Sequence, residues 1–384
     1  MNRSETRRID RILLVTVLAL LVLGIGVIYS ASSFWSADRH NDYSLYFKRH
    51  LLRVFVGLVL VAAVSQIDYR RYRELTPLLS LVVFSLLVAV FFGPPVNHVH
   101  RTLVLFKVRF QPAEAMKLMV VLYMAAVLAR EDLRLSAPFF RSPILYHFLY
   151  LAVSTALVIL EPDMGTAVVV FAVGMAMFFL GGVPLRGLTA MVALLAPAVA
   201  ASLALNPYQW HRLKVFVVSQ TGGSALPYQM HHSLIAFSRG GLFGVGFGEG
   251  HQKNLFLPHP FSDFVLASLG EELGFVGLVV LFGLVAVLLW RGIRIARRAR
   301  DQYGFLLAGG VTCMILINAL INAGVVLYLL PTTGLPFPFL SYGGSSLFAV
   351  AAGIGILLNV SKHPRATFSD FPNRRNPLDV GMER

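Results

Sequence analysis

The residue best placed to do chemistry in this sequence is Asp263, at the end of a long polar and glycine-rich stretch. It follows Pro258 and Pro260 and directly precedes an apolar run at residues 264–290. Where such a run enters a membrane, water meets a low-dielectric interior, so the charge of a carboxylate is costly. A carboxylate kept at that cost either hydrogen-bonds into the scaffold or takes part in a reaction. We predict that Asp263 takes part in a reaction.

Two further ionisable residues, Glu114 and Lys117, open another apolar run just after Gln111 and Pro112. A proline at the helix start fixes the first turn, and the spacing of three places both charged side chains on one face. Lys117 then lies about 6 Å into the helix. Because ionisable groups at membrane depth usually line a cavity, we predict that the pair binds substrate. The alternative is a mutually neutralising pair with no other role.

Three other acidic residues are predicted to support the scaffold. Glu271 and Glu272 share a predicted helix with Asp263, but they point about 80° and about 180° away from it, so the three cannot face one cavity. We expect one of these glutamates to tie the helix to a neighbour by hydrogen bonds. Asp163 precedes a different apolar run, where its side chain can cap the free backbone N–H groups of the helix start.

A proline-rich stretch forms the last predicted outer loop. Three prolines at residues 331–338 prevent a regular helix, so protein or a wet cavity must satisfy the backbone polar groups. The next helix then begins with free N–H groups and a positive dipole end, which suits a diphosphate or a carboxylate. We therefore predict that Ser341, Tyr342, Gly343 and Gly344 bind substrate, with ordinary helix capping as the alternative.

The composition predicts an all-α, polytopic membrane protein. Apolar residues make up 57% of the chain and charged residues 14%, whereas an average soluble domain carries roughly 25% charged residues. The formal charge of +14 comes from Lys and Arg clustered in short loops, which is typical of topology-setting charge rather than nucleic-acid binding. A single cysteine, Cys313, excludes an intramolecular disulfide.

The apolar runs predict ten membrane-spanning helices. The connecting loops and termini on one side carry 21 Lys and Arg residues, against 10 on the other side. The positive-inside bias therefore places both termini in the cytoplasm. The predicted spans are residues 12–31, 51–66, 76–93, 113–129, 144–160, 165–181, 188–206, 264–290, 304–327 and 343–360.

These spans divide the chain into three parts. A cytoplasmic N-terminus at residues 1–11 precedes one membrane domain at 12–360, and a tail at 361–384 is predicted to be disordered. The stretch 207–263, between helices seven and eight, forms a large extracytoplasmic loop. Loops of this length usually carry function or are disordered. The apolar and aromatic residues in this one predict that it packs against the spans or lies in the membrane interface.

Taken together, these motifs resemble the SEDS family (FtsW, RodA and SpoVE) over roughly residues 12–360. The ten-span fold of that family agrees with the count above. The motifs that carry the resemblance are Phe110-Gln111-Pro112-Ala113-Glu114-x-x-Lys117, Glu161-Pro162-Asp163-Met164-Gly165-Thr166, the glycine-rich run 240–250, Leu257-Pro258 to Asp263, Gly270-Glu271-Glu272-Leu273-Gly274 and Leu340-Ser341-Tyr342-Gly343-Gly344-Ser345-Ser346.

The resemblance implies a peptidoglycan glycosyltransferase of the bacterial inner membrane. Such an enzyme polymerises lipid II on the outer face, releases undecaprenyl diphosphate and works with a class B penicillin-binding protein and with divisome or elongasome proteins. The family's essential aspartate corresponds to Asp263. One carboxylate suffices as general base toward the acceptor 4-hydroxyl, because a diphosphate leaves without an acid. Arg101, Lys117 and Arg212 are candidates for binding the diphosphate, and a Mg²⁺ or Mn²⁺ ion held by Asp263 is an alternative role for that residue.

The sequence departs from the family pattern at three places. Arg101-Thr102-Leu103 replaces the usual Arg-Trp-Ile, Glu161 replaces a glutamine, and the residues 259–262 replace Glu-x-His-Thr. We expect the packing near Arg101 and the contacts that flank Asp263 to differ from those of the family. The motif Tyr46-Phe47-x-Arg49 and the run 236–240 resemble the division member FtsW more than the elongation member RodA.

Two rival functions stay open at this point. A flippase for the same lipid would also use interrupted helices and charges at membrane depth, although no inverted repeat is visible in the sequence. A non-catalytic scaffold for division proteins would explain the long loops but not Asp263. Purified protein in vesicles with labelled lipid II separates the three functions. Polymer indicates an enzyme, transbilayer movement without polymer indicates a flippase, and neither indicates a scaffold.

Overall fold

The computed structural model describes residues 9–94, 100–105, 108–130, 143–222, 226–258 and 260–364. In these residues the chain forms thirteen helices and one two-stranded hairpin. The helices are α1 Arg11–His40, α2 Leu45–Gln66, α3 Tyr69–Val90, α4 Pro112–Leu128, α5 Ile144–Leu160, α6 Met164–Leu180, α7 Leu185–Leu205, α8 Pro207–Gln220, α9 Tyr228–Gly240, α10 Gln252–Leu255, α11 Val265–Arg297, α12 Gln302–Val326 and α13 Gly344–Ser361, and the strands are β1 Leu103–Leu105 and β2 Val108–Phe110.

Ten of these helices overlap the ten predicted spans, namely α1 to α7 and α11 to α13. Within the described residues, six of them (α1, α3, α7, α11, α12 and α13) are long and apolar enough to cross a membrane. Helices α5 and α6 are apolar but shorter, and α2 carries basic residues in its first turns. The chain is therefore a mainly helical, polytopic membrane protein, and the count of ten spans stays a prediction.

The surface of the bundle is consistent with a lipid environment. Large apolar side chains on the outward faces of the helices, such as Phe55, Leu81 and Leu149, are more than half exposed. Soluble proteins seldom expose contiguous apolar areas of this kind. These faces are stable only if acyl chains rather than water cover them.

Aspartate side chains begin several of the helices. Asp10, Asp68, Asp163 and Asp301 each accept a hydrogen bond from a backbone N–H of the first turn of α1, α3, α6 and α12. Each carboxylate satisfies a donor that has no partner inside the helix and also lies at the positive end of the helix dipole. Local sequence therefore determines where these four helices begin.

Helix α4 lies at the centre of the bundle. Of its 17 residues, 15 are buried, and it packs against α3, α6, α12 and α13. Because the helix is apolar on nearly all sides, it is surrounded by protein rather than by lipid. Glu114 and Lys117 therefore lie in the protein interior.

One feature of the outer segments differs from the all-α prediction, and another adds detail to it. The short antiparallel hairpin β1–β2 pairs Leu103 with Phe110 and Val104 with Arg109 in the loop before α4. The large loop at residues 207–263 contains the helices α8, α9 and α10. Residues 1–8 and 365–384 lie outside the described part of the chain, so the predicted disorder of the tail stays a prediction.

Helix α11 is interrupted, where the sequence predicted one continuous span. Gly274 has φ 65° and ψ −162°, which breaks the helix after its first two turns. The backbone of the glycine-rich loop (residues 240–250) lies against the break. The Gly241 carbonyl accepts a hydrogen bond from the Phe275 N–H at 2.9 Å, and the Leu242 carbonyl accepts one from the Val276 N–H at 3.0 Å. In the other direction, the Val245 and Gly246 N–H groups donate to the Glu271 and Glu272 carbonyls, so the loop supplies partners that the break removes from the helix.

Candidate functional site

Two loops meet at the end of the bundle that is predicted to be extracytoplasmic, the outer end. The aspartate loop (residues 256–258 and 260–264) leads into α11, and the inserted loop (residues 327–343) connects α12 to α13. Leu335, Phe337 and Leu340 of the inserted loop are at most 2% exposed. This loop therefore packs into the bundle instead of lying on its surface, as irregular backbone at membrane depth must.

Hydrogen bonds join the inserted loop to the aspartate loop. The Ser341 hydroxyl donates to the Ser262 carbonyl at 2.6 Å and accepts from the Phe337 N–H at 2.7 Å. The Tyr342 N–H donates to the Phe261 carbonyl at 2.8 Å. The hydroxyl proton of Ser341 is already used in a hydrogen bond, so this residue links the two loops. Its contact with substrate stays a prediction.

Asp263 is half-buried at this junction. Its Oδ1 accepts from the Ser262 hydroxyl at 2.7 Å, and its Oδ2 faces Gly334, whose Cβ position lies 3.4 Å away. Asn322 of α12 donates from Nδ2 to the backbone carbonyls of Asp263 and Leu335, at 2.9 and 2.6 Å. Within the described residues no protein donor reaches Oδ2, so the carboxylate is held by its backbone and keeps one oxygen for another molecule.

The start of α13 lies next to an arginine that the sequence analysis did not select. Gly343 is the N-cap residue, and no side chain caps this helix. Arg53 of α2 packs its guanidinium over the Tyr342 ring at 4.2 Å, and its Nε is 3.4 Å from the Cβ position of Gly344. A cation and the free N–H groups of a helix start thus occur together, which suits an anion. The signal that could have identified Arg53 is its position as the one arginine in the predicted span 51–66.

An aromatic cluster fixes the aspartate loop against α2. Tyr46 stacks on Phe261 with ring centroids 5.2 Å apart, and Tyr342 meets both rings edge-on at 5.7 and 5.5 Å. Aromatic pairs in these geometries contribute about 0.5–1.5 kcal/mol each beyond the area that they bury. Tyr342 therefore connects α2, the aspartate loop and the start of α13.

The motif around Gln111 connects three more helices at the outer end. The Gln111 N–H donates to the Ser345 hydroxyl of α13 at 2.9 Å, and its Nε2 donates to Asp163 Oδ2 at 2.6 Å. Asp163 is buried and caps α6 through the Thr166 N–H at 3.0 Å and the Thr166 hydroxyl at 2.9 Å. These contacts suit the supporting role predicted for Asp163, whose side chain is only 6% exposed.

Glu161 lies in the turn between α5 and α6. The side chain is buried, and neither carboxyl oxygen has a hydrogen-bond partner among the described residues. Burial raises the pKa of Glu161 to about 8, and the nearby charge of Asp163 adds to the rise. The carboxyl is therefore protonated at neutral pH, and it is uncharged like the glutamine that is usual in the resembled family.

A Glu161→Gln variant is expected to lose one component of the pH dependence of stability. Between the ordinary pKa of 4.5 and about 8, the folded chain holds a proton that the unfolded chain has lost, so stability falls as pH rises. Glutamine has no such proton. Thermal unfolding in detergent from about pH 5 to about pH 8 measures this pH dependence of stability. The control is Glu249→Gln, at an exposed position of the glycine-rich loop. An unchanged slope in the Glu161 variant would contradict the assignment.

Glu114 and Lys117 form a closed ion pair inside the bundle. Lys117 Nζ lies 2.7 Å from Glu114 Oε2 and donates to Asn318 Oδ1 of α12 at 3.1 Å. Both side chains are at most 5% exposed. Asn318 lies one turn from Asn322, so polar groups run from the ion pair along α12 to the aspartate loop. Contact with substrate would require the bundle to open at α4, and that role stays a prediction.

The two predicted outer arginines differ in their surroundings. Arg212 of α8 donates to the Thr332 carbonyl of the inserted loop at 3.3 Å and lies over the Tyr208 ring at 4.7 Å. Arg101 is exposed just before β1, and within the described residues it forms no hydrogen bond or ion pair. Arg212 is therefore already at the inserted loop, whereas Arg101 is free to meet a ligand from the surface.

Glu271 and Glu272 hold the large outer loop against the bundle. Glu272 forms a buried ion pair with Lys253 and accepts from the Ser30 hydroxyl of α1 at 2.6 Å. Glu271 accepts from two backbone N–H groups at the start of α10, both at 3.0 Å. Both carboxylates meet the segment 250–253 of the outer loop and bind protein groups there.

Within the described ranges, no three His, Cys, Asp or Glu side chains converge on one point that could hold a metal ion. Asp263 is the half-buried carboxylate at the junction, with the Ser262 hydroxyl as its nearest polar neighbour. This donor set resembles the sparse protein ligation of Mg²⁺, which often combines one or two carboxylates with substrate phosphates. The residues present could therefore hold a divalent cation only if a phosphate-bearing ligand supplies the other oxygen ligands.

Comparison with known proteins gives consistent matches over nearly the whole chain. The family model described as "Cell cycle protein", which covers FtsW, RodA and SpoVE, matches residues 11–366. The chain is 37% identical to a "Probable peptidoglycan glycosyltransferase FtsW" of Trichlorobacter lovleyi, over 92% of this chain and 93% of the relative. It is 35% identical to stage V sporulation protein E of Bacillus subtilis, over 93% and 98%. These matches confirm the resemblance, including its FtsW-like character.

Two solved structures share the fold. A chain from a study described as "Structural coordination of polymerization and crosslinking by a peptidoglycan synthase complex" superposes with a TM-score of 0.72 at 28% identity, covering 92% of this chain and 97% of the other. The rod shape determining protein RodA of Thermus thermophilus superposes with a TM-score of 0.68 at 28% identity, covering 92% and 96%. Sequence and fold therefore agree on one family.

Proposed function

Because this chain belongs to the FtsW/RodA/SpoVE family, we propose that it is a peptidoglycan glycosyltransferase that polymerises lipid II. Two relatives that match 92% of the chain carry the name "Probable peptidoglycan glycosyltransferase FtsW". The products are a longer glycan strand and undecaprenyl diphosphate. The reaction takes place on the outer face of the bacterial inner membrane, with both chain termini in the cytoplasm.

In the proposed reaction Asp263 acts as the general base. Its carboxylate takes the proton of the acceptor 4-hydroxyl, and the resulting oxygen nucleophile attacks the anomeric carbon of the donor. The bond from that carbon to the diphosphate breaks, and the diphosphate leaves with the electron pair. A general base contributes typically about 10²–10⁴-fold to a rate. No acid is needed, because the diphosphate is a stable leaving group.

The single observation that carries this proposal is the environment of the Asp263 carboxylate. Asn322 holds the backbone of this residue against the inserted loop, and Oδ2 is left without a protein donor in the described residues. A general base needs a fixed position and a free lone pair. A purely structural carboxylate, such as Asp163, instead has its oxygens occupied by protein donors.

The diphosphate of the donor needs cationic partners on the same face. We assign this role to Arg53 and to the uncapped start of α13 at Gly343 and Gly344, supported by their proximity. Arg212 and Arg101 are further candidates from the outer loops. A guanidinium can bind phosphate oxygens with two parallel hydrogen bonds, which also fixes the orientation of the ligand.

A divalent cation is a second assignment for Asp263. Mg²⁺ or Mn²⁺ would be held by this carboxylate together with phosphate oxygens of the donor, and it would offset charge that develops on the leaving group. Removal of divalent ions by a chelator distinguishes the two roles. A general base continues to work without the ion, whereas a metal ligand loses activity until Mg²⁺ or Mn²⁺ is restored.

The proposed partner is a class B penicillin-binding protein with transpeptidase activity. A solved chain of the same fold comes from work on a peptidoglycan synthase complex that coordinates polymerisation and crosslinking. The FtsW relatives favour a place in the division machinery over one in elongation. Reconstitution with and without a candidate transpeptidase tests whether the partner is required.

The decisive experiment uses purified protein in vesicles that contain labelled lipid II. Glycan polymer supports the proposal. Transbilayer movement of the label without polymer would assign a flippase, and neither outcome in the presence of the partner transpeptidase would assign a scaffold. Gel separation of the products and accessibility of the label to an external quencher give the two readouts.

Replacing Asn322 by alanine is expected to lower polymerisation per folded molecule by about tenfold or more, because the backbone of Asp263 loses its donor. The lost hydrogen bonds should also destabilise the fold by about 1–3 kcal/mol. Asn359→Ala is the matched control: this asparagine is equally buried at 2% exposure and also makes two hydrogen bonds, with Tyr69 and Ser65 at the other end of the bundle. Both variants should unfold earlier, and only Asn322→Ala should lose turnover. Equal turnover in the two variants would remove Asn322 from the proposal.

A further inference from the structure

A cavity of about 370 Å³ opens at the end of the bundle opposite Asp263, where the start of α1 meets the ends of α11 and α13. It lies roughly 40 Å along α11 from the aspartate loop. Four arginines and one aspartate line it: Arg11, Arg291, Arg294, Arg298 and Asp10. Positive charge is therefore concentrated in a concave site that the proposed polymerisation does not use.

The one carboxylate of the cavity is already engaged. Asp10 caps α1 through the Leu13 N–H at 2.9 Å, and its Oδ2 accepts from Arg291 Nε at 3.0 Å. Among the described residues, Arg294 and Arg298 have no carboxylate partner, and the same is true of Arg11. After Arg291 and Asp10 neutralise each other, the described lining of the cavity keeps three positive charges.

The rest of the lining is mostly apolar, with Ser361 as a polar member, and a tryptophan lies next to the cavity. Ile12 and Val360 form part of the wall, and Ile12 is 48% exposed. Trp290 is 54% exposed and lies beneath the guanidinium groups of Arg291 and Arg294, at 5.3 and 5.5 Å. Tryptophan prefers the depth of the lipid headgroups. The arginines therefore lie at headgroup level, with apolar surface on the acyl side.

We propose that this cavity binds the phosphate headgroup of an anionic phospholipid. Arginine pairs with phosphate through parallel hydrogen bonds, and basic pockets between membrane helices suit anionic headgroups. A soluble polyphosphate shares the phosphate chemistry but would leave the apolar wall unused. The bound lipid would add contacts between the ends of α1, α11 and α13, which the Asp10–Arg291 pair and a hydrogen bond from the Asp10 N–H to the Ser361 hydroxyl already join.

The test uses the full chain in phosphatidylcholine vesicles that contain a small fraction of brominated lipid, which quenches nearby tryptophan. With Trp35 and Trp210 replaced by phenylalanine, so that Trp290 alone fluoresces, brominated phosphatidylglycerol should quench it more than brominated phosphatidylcholine at the same fraction. A charge-assisted hydrogen bond to phosphate contributes about tenfold to affinity, so Arg294→Gln with Arg298→Gln should lower the preference about 100-fold. The matched control is Arg297→Gln with Arg300→Gln, which removes the same charge from exposed positions outside the lining.

The control should keep most of the preference for the anionic lipid. If both double variants lose it equally, general surface charge explains the effect and the site does not exist. No preference in the unmodified protein would also overturn the proposal. Added inorganic diphosphate distinguishes the two sources of phosphate: displacement of the lipid at equal concentration would assign the cavity to a soluble polyphosphate and would make the lipid assignment wrong.

Discussion

Replacing Asp263 by asparagine is expected to abolish glycan polymerisation while the protein stays folded and inserted in the membrane. Asparagine has nearly the same size and can still accept the hydrogen bond from the Ser262 hydroxyl. It cannot take a proton from the acceptor 4-hydroxyl. The expected loss is about 10²–10⁴-fold, the usual contribution of a general base. Gel analysis of polymer from labelled lipid II measures it, with thermal unfolding in detergent as the measure of folding.

Asp42→Asn is the matched control for this prediction. Asp42 is a partly exposed carboxylate on the same predicted outer face, where it accepts from Ser44 at 2.7 Å and lies 3.5 Å from Lys48. Removing its charge changes the electrostatics of that face but not the proposed base. The control should therefore polymerise at the normal rate. Normal polymerisation by the Asp263 variant as well would rule out this residue as the base.

The second large effect is expected from Gly274→Ala, at the break in α11. A side chain at φ 65° and ψ −162° is strained by about 1–3 kcal/mol. The added Cβ would also lie 2.3 Å from the backbone nitrogen of Gly244, where no flexible side chain can move aside. The glycine-rich loop must therefore leave the break, which exposes the hydrogen-bonding groups of α11. We expect a Tm several degrees lower and loss of polymerisation.

Gly283→Ala tests whether the effect depends on the break. Gly283 belongs to the same helix, has ordinary helical geometry and has no atom within 4 Å of its Cβ position. Alanine is there expected to be neutral, or to stabilise by up to about 1 kcal/mol, since glycine is the poorer helix former. A comparable loss of stability in both variants would mean that the inserted loop backbone is not what makes Gly274 necessary.

The candidate site itself was only partly predictable. The sequence singled out Asp263 and the segment 341–344 separately, each from a local pattern of prolines, glycines and charge. Their contact depends on the hydrogen bond from Ser341 to Ser262, which joins residues 79 positions apart. Local periodicity says which face of a helix a residue lies on, but not which distant loop will pack against it.

The ion pair of α4 illustrates the same limit. The spacing of Glu114 and Lys117 predicted that they share a face, and they do form an ion pair at 2.7 Å. Whether that face meets lipid, solvent or protein depends on where α4 lies in the bundle, and its central position buries the pair beside Asn318. The importance of Asn318 and Asn322 was also missed, although two asparagines one turn apart in an apolar run are a recognisable signal.

Sequence alone determined the class of this protein, the approximate positions of its helices and its family, because these depend on hydrophobic length, capping residues and contiguous motifs. Tertiary structure decided the rest. It decided that the glycine-rich loop completes the break at Gly274, that Arg53 joins the start of α13, and that arginines from α1 and α11 surround one cavity. Each of these features joins backbone or charged groups that are distant in the sequence and meet only when the helices pack. The free energy of such a contact depends on tertiary packing, so the local sequence carries no pattern that predicts it.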